Sequence, residues 1–193
     1  MARLREFDYD KTLLNAGKQF WASGYQATSI QDIALVTGVK PGSLYKAFGD
    51  KKGLLLKCVK HYMEHTSYYA LLIENSDVPL KKILGKIFNL MIESCDDTTR
   101  KGGCLVTNTA FEMASVDEEI FSEMNKHLSR MKQALLNHLL SAQASGEIDK
   151  KKDADALAAY FITLIQGLLV SSRVTKDKTE MRNAIKTGLS LLD

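Results

Sequence analysis

Apolar positions recur every three or four residues along most of the chain, so the pattern predicts helix throughout. From Tyr9 to Ser23, Leu13, Ala16, Gly17 and Phe20 share one face, and Gly24 stands where a glycine ends a helix. A second, short inward face holds Ile30, Ile33 and Ala34. Thr28 reads as its N-cap, with Gln31 three residues on completing a capping box. Thr37-Gly38-Val39 turns the chain, and Gly38 can take positive φ without steric cost. Pro41 suits the first turn of a third helix, whose Leu44 and Phe48 return inward. Asp50 caps a fourth that could run from Lys51 to about Asn75. Pro79 opens a fifth, with Leu80, Ile83, Leu84, Ile87, Phe88 and Met91 as its stripe. Asp96 to Gly103 reads as a loop and Cys104 to Ala114 as a short helix. Asp117 to about Ser145 is a long helix, acidic where its dipole favours negative charge. Asp153 to Val174 and Thr179 to Leu192 close the chain. The expected class is all-α, with no internal repeat.

Composition sharpens this in three ways. In 193 residues, 45% are apolar and only two are proline, which suits helices around a sizeable core. No uninterrupted apolar run approaches membrane-spanning length, and the mixed-charge start lacks the apolar stretch of a secretory signal. A cytoplasmic chain that does not engage a membrane is expected. Cys58, Cys95 and Cys104 are odd in number and lack paired spacing, which argues against a disulfide framework or zinc site. Charge is uneven: residues 1–57 hold nine Lys/Arg against five Asp/Glu, whereas residues 58–193 hold 17 against 18. Positive charge thus gathers at the N-terminal end, as a phosphate-binding module requires.

The densest signal is Thr28 to Phe48, two short helices around a glycine turn, the second small and polar at its start. A helix-turn-helix lays such a helix in the major groove of DNA. Thr28 and Ser29 open the first helix of the pair, where backbone N–H groups and a hydroxyl can hold a phosphate. Lys40, Pro41, Gly42 and Ser43 start the second. Gly42 permits close approach, and Lys40 and Ser43 can reach base edges or phosphate. Lys51 at the head of the fourth helix can meet a phosphate. Arg3 and Arg5 can enter the minor groove or fray.

Residues 9 to 57 resemble the N-terminal domain of the TetR family of bacterial transcriptional regulators. The resemblance rests on the ordered set Phe20…Gly24-Tyr25, Thr28-Ser29-Ile30…Ile33-Ala34, Gly38-Val39, Gly42-Ser43-Leu44-Tyr45…Phe48 and Lys51…Leu54. It implies an N-terminal helix-turn-helix domain (residues 1–57), joined by the fourth helix to a larger ligand-sensing and dimerisation domain (residues 58–193). Tyr45 and Lys46 resemble the family's backbone-contacting pair.

A single helix-turn-helix reads few base pairs, so two related by a twofold axis and an inverted-repeat double-stranded operator are expected. Two broad stripes near the C-terminus can supply the homodimer interface: Leu157, Tyr160, Phe161, Leu164, Ile165 and Leu168, then Met181, Ile185, Leu189 and Leu192. The same stripes would also serve as plain core. Gly103-Cys104-Leu105…Asn108…Glu112 resembles a segment of one TetR subgroup, some members of which answer electrophiles, oxidants or metals through a cysteine. Cys104 at a helix N-terminus, near Arg100 and Lys101, has a physical case as a reactive thiol. The bland alternative is a small buried cysteine. Asn108 and Glu112 can share its helix face, lining a pocket or bonding across helices. Tyr62, Tyr68, Tyr69, Phe88, Met91, Phe111 and Met124 are pocket or core in equal measure. His61 and His65, four apart, are a weak metal signal, and no metal or cofactor is expected.

The leading expectation is a repressor released from DNA by a small molecule or by modification of Cys104. A thiol-dependent enzyme has little to rest on, because no phosphate loop, metal box or nucleophile–base pair is discernible. A helical interaction protein that has lost DNA binding is at odds with the intact Lys40, Ser43, Tyr45 and Lys51.

Overall fold

The computed structural model describes residues 7–66, 72, 78–94, 103–175 and 177–193. Arg3, Arg5, Tyr68, Tyr69, Cys95, Arg100 and Lys101 lie outside the described residues. The described residues form nine α-helices and no strand. They are α1 (Tyr9–Ser23), α2 (Ile30–Thr37), α3 (Pro41–Phe48), α4 (Lys51–His65), α5 (Leu80–Ser94), α6 (Leu105–Met113), α7 (Glu118–Ser145), α8 (Ala154–Val174) and α9 (Lys178–Ser190).

The chain divides into two compact units. One comprises Met1–Thr66 with Cys104–Glu123, the other Ser67–Gly103 with Met124–Asp193. These units part the chain after Thr66, whereas the functional boundary was expected after residue 57. All of α4 stays with the first three helices, and α6 with the first turns of α7 joins them.

In the first unit α1 is the hub, packing on α2, α4 and α6, while α3 packs on α2 and α4. Its apolar face buries Leu13, Ala16, Phe20 and Trp21 against Ile33, Leu44, Leu54, Leu55, Cys58 and Leu105 as the core of the unit. At Gly17 a Cβ would stand in ordinary contact, 3.6 Å from Cys58 Cβ and 3.7 Å from Leu105 Cδ2. Burial pushes the Cys58 thiol far above its ordinary pKa. Gly38 ends α2 in the left-handed region (φ 71°), as the turn requires.

Two sequence expectations change here. The N-cap of α2 is Ser29, not Thr28, and the box closes with Asp32, not Gln31. Thr28-x-x-Gln31 and Ser29-x-x-Asp32 share one spacing, and the carboxylate is the stronger acceptor. Helix α4 does not continue past His65. Thr66 is extended (φ −92°, ψ 121°) and turns its hydroxyl back to Tyr62 O at 2.6 Å.

In the second unit α9 packs on α5 and α8, and α5 on α8. The α5 stripe is buried as its spacing requires: Leu80, Ile83, Leu84, Ile87, Phe88 and Met91. Glu147 accepts hydrogen bonds from the Leu80 and Lys81 amides (3.0 and 3.1 Å), capping α5 from a distance in sequence. Of the residues expected at a dimer interface, Phe161, Ile165, Leu168, Met181 and Ile185 are buried in this unit's own core. So is Leu192. Leu157, Leu164 and Leu189 are half-buried, and Tyr160 is 37% exposed. The stripe was read correctly as apolar, but its occupant is α5 and α9 of the same chain.

Among the described residues, one helix passes the length-and-composition test for a membrane span, a test that buried core helices also pass. Helix α8 is long and apolar enough to cross a membrane, with a mean hydropathy of 1.6, and a third of that window is buried within the chain. Its apolar residues are interrupted by Thr163, Gln166 and Gly167.

Candidate nucleic-acid interface

The start of α3 is built to stay open. Lys40 is its extended N-cap and offers no side-chain cap, while Pro41 supplies the fixed φ of the first turn. Behind it, Leu44 and Phe48 are buried, and Tyr9 stacks on Phe48 at 5.2 Å between ring centroids. That anchors the inner face of α3 and leaves Lys40, Gly42, Tyr45 and Lys46 exposed, with Pro41 and Ser43 half-buried. Tyr45 is 49% exposed. A Cβ on Gly42 would meet nothing within 4 Å. Among the described residues no packing requires a glycine at this first-turn position.

The N-terminus of α2 is already occupied. Ser29 Oγ accepts from Asp32 N (3.1 Å) and donates to Asp32 Oδ2 (2.7 Å), and Ser29 N donates to the same oxygen (2.8 Å). These bonds, the Ser29 hydroxyl first, hold the Asp32 carboxyl below its ordinary pKa. A fixed negative charge thus stands where a phosphate was expected. Thr28 is buried, and its hydroxyl donates to Gly24 O at 2.6 Å.

Lys51 is likewise turned inward. Its Nζ donates to Tyr25 O and Thr28 O, both at 3.0 Å, and lies 4.3 Å from the Tyr25 ring centroid. Its neighbour Lys52 pairs with Glu119 (2.7 Å) and Asp117 (3.4 Å), which raises its pKa, the Glu119 bond foremost. The first turn of α4 therefore ties the α1–α2 loop and the start of α7 into one body.

Cys104 caps α6. It is 3% exposed, its Sγ accepts from Thr107 N at 3.2 Å and lies 3.1 Å from Thr107 Oγ1. The helix N-terminus is as expected, but the sulfur faces inward, so the buried alternative describes it. Among the described residues Asn108 Nδ2 is buried without a hydrogen-bond partner. Glu112 bonds across helices, its two oxygens accepting from Tyr25 N (2.8 Å) and Gln26 N (2.6 Å). Phe111, a candidate pocket residue, is 75% exposed, whereas Phe88, Met91 and Met124 are buried. Tyr62 meets Trp21 edge-on at 5.3 Å. His61 and His65 stack at 4.1 Å, and among the described residues no three His, Cys, Asp or Glu gather as metal ligands.

Residues 13–58 match the family described as bacterial regulatory proteins, tetR family, and residues 80–187 match the tetracyclin repressor-like C-terminal domain. The second match alone spans more than half of the chain. The chain belongs to the TetR family. It is similar over its whole length, at 30% identity, to an uncharacterized HTH-type transcriptional regulator of Bacillus subtilis strain 168, YezE, all of which is covered. It is 27% identical to the HTH-type transcriptional repressor ComR of Escherichia coli K12, over 98% of this chain and 90% of that one. A solved structure of a cysteine mutant of the TetR family regulator CifR, complexed with 26-bp double-strand operator DNA, shares the fold. It has a TM-score of 0.86 at 21% identity, covering 99% of this chain and 100% of that one. Reduced NemR of Escherichia coli does so at a TM-score of 0.82 and 16% identity, over 95% and 96% of the two chains.

This TetR-family chain is thus a DNA-binding transcriptional regulator and not an enzyme. The helix-turn-helix motif was legible because its glycine turn and its inward and outward positions lie within 21 consecutive residues. The long-range grips of Lys51 and Glu112 left no local signal.

Proposed function

We infer that the chain is a homodimeric repressor that reads an inverted-repeat operator with the exposed start of α3 and is released by a small-molecule effector. The observation that carries the DNA reading is Gly42, open on every side at the head of a helix whose inner face is anchored. A flat surface can approach its backbone closely, with Lys40 reaching for bases and Tyr45 and Lys46 for phosphates. Ser43 has a half-buried supporting place, and Pro41 sets the helix start. The internal bonds of Thr28 and Lys51 favour a positioning role for both, with Ser29 the exposed member of its pair.

The dimer reading is supported by α8. Its exposed positions Ala156, Tyr160, Thr163, Gly167, Val170 and Val174 fall at spacings of four and three, a single stripe of small and apolar residues. Gly167 has open space beside it. Such a stripe suits the same face of a second copy across a twofold axis. A cytoplasmic location follows from the regulator role.

For the effector, the buried cap of Cys104 favours a non-covalent ligand over thiol modification. Likeness to the cysteine-responsive subgroup is kept as the second reading, because Gly103, Cys104, Leu105, Asn108 and Glu112 stand in its order. Selection of bound duplexes from a random pool by reduced protein, repeated after mild oxidation, separates the two. An inverted repeat in both pools supports the repressor with a non-covalent effector. Loss on oxidation in the wild type, but not in Cys104→Ser, supports the thiol sensor. No enrichment even at low salt, where phosphate contacts are strongest, would overturn the operator reading.

A further inference from the structure

The loop between α1 and α2 is held from both sides by charged groups of distant segments. Glu112, at the end of α6, is bidentate to the backbone amides of Tyr25 and Gln26, 87 and 86 residues away in sequence. Lys51, at the head of α4, takes the carbonyls of Tyr25 and Thr28. Tyr25 therefore has its N–H on a carboxylate and its C=O on an ammonium. Gly24 is shaped to the same grip. Its φ is 85°, and a Cβ there would stand 2.9 Å from Glu112 Oε2. Thr28 locks the loop internally through Gly24 O, and the next residue, Ser29, is the N-cap of α2. Helix α2 packs on α3.

We propose that Glu112 is a positioning residue for DNA binding. Through two charge-assisted bonds it sets the α1–α2 loop, hence the start of α2 and the seat of the reading helix α3. The bonds of the grip all lie within the chain, so its effect is on which state the helix-turn-helix occupies, and binding weakens as the competent fraction falls. The proposal rests on the operator reading above, but its mechanical part does not.

The test uses full-length protein and two variants. Glu112→Gln places an NH2 against one of two N–H donors, whereas Glu112→Asp keeps the charge and is one methylene too short to reach both amides. Amide exchange is read at Tyr25 and Gln26 without DNA, and affinity is read on the selected operator and on a random duplex, below each variant's melting point. In the wild type both amides are expected to exchange far more slowly than exposed loop amides. Each variant is expected to lose protection there and to bind operator roughly tenfold more weakly. Binding of Glu112→Asp to the random duplex should hold within about twofold, because its charge is unchanged. Loop-like exchange of the two amides in the wild type overturns the grip, even if neither variant folds. Lost protection with unchanged operator affinity overturns the positioning role and leaves Glu112 a structural cap. Failure of the wild type to bind any operator overturns the operator reading instead, and the exchange result stands apart from it.

Discussion

At the residue scale the chain spends conformational stability where a partner surface would need room. Among the described residues nothing crowds Gly42 or gives it a steric reason to be glycine. Gly42→Ala is therefore expected to leave the fold intact without loss of stability. The same change should weaken operator binding at least tenfold, since its methyl would stand between α3 and the groove. Melting curves and a binding titration check both halves, and unchanged operator affinity would remove Gly42 from the interface. Cys104 shows the reverse economy. Its sulfur does the work that a serine or threonine hydroxyl does at other helix starts, accepting the amide of Thr107. Cys104→Ser should keep the cap and the fold, whereas Cys104→Ala should cost about 1 kcal/mol. In the native wild type the thiol should react with an aromatic disulfide many times more slowly than in denaturant. Equal rates would show that it is accessible and return thiol sensing to first place.

At the scale of elements, helices are fixed end by end, often by residues far away in sequence. Local caps hold α1 through Asp8, α2 through Ser29 and α4 through Asp50. Glu147 does the same for α5 from beyond the end of α7. Helix α7 also carries a titrating weak point. His127 is 5% exposed, and its pKa is lowered to about 4, by burial first and then by the charge of Arg130. Against an ordinary value near 6.5, the unfolded chain binds this proton first. Stability should therefore be flat above about pH 6.5 and fall as pH drops toward 4, by up to about 3 kcal/mol for this group. The Asp32, Asp117 and Asp177 carboxyls are held below their ordinary range by hydrogen bonds, so their losses come at still lower pH. Urea denaturation from pH 7.5 to 4.5, compared between wild type and His127→Gln, checks this. An equally steep fall in the variant would acquit His127.

At the scale of the whole molecule, the decisive question is what covers the outer face of α8. Val170 is 37% and Val174 82% exposed, which leaves apolar surface on an otherwise well-filled unit. Val170→Glu is expected to turn a dimer into a monomer by sedimentation, with helix content unchanged. Affinity for the inverted repeat should then fall to that for one half-site. A variant that remains dimeric would move the interface off this face. The helical class, the boundaries of most helices, the α5 core stripe and the TetR-type helix-turn-helix were all determined by sequence alone. They depend on periodicity, capping residues and glycine placement, which act over a few residues. The tertiary structure decided the rest. It turned six expected interface residues into core, placed Lys51 on the carbonyls of Tyr25 and Thr28, buried the sulfur of Cys104 and set Glu112 on the α1–α2 loop. An apolar stripe shows that a helix face must be covered and a charged side chain that it wants a partner. Which surface covers the one and which group meets the other depends on segments up to 112 residues apart, brought together only when the chain folds.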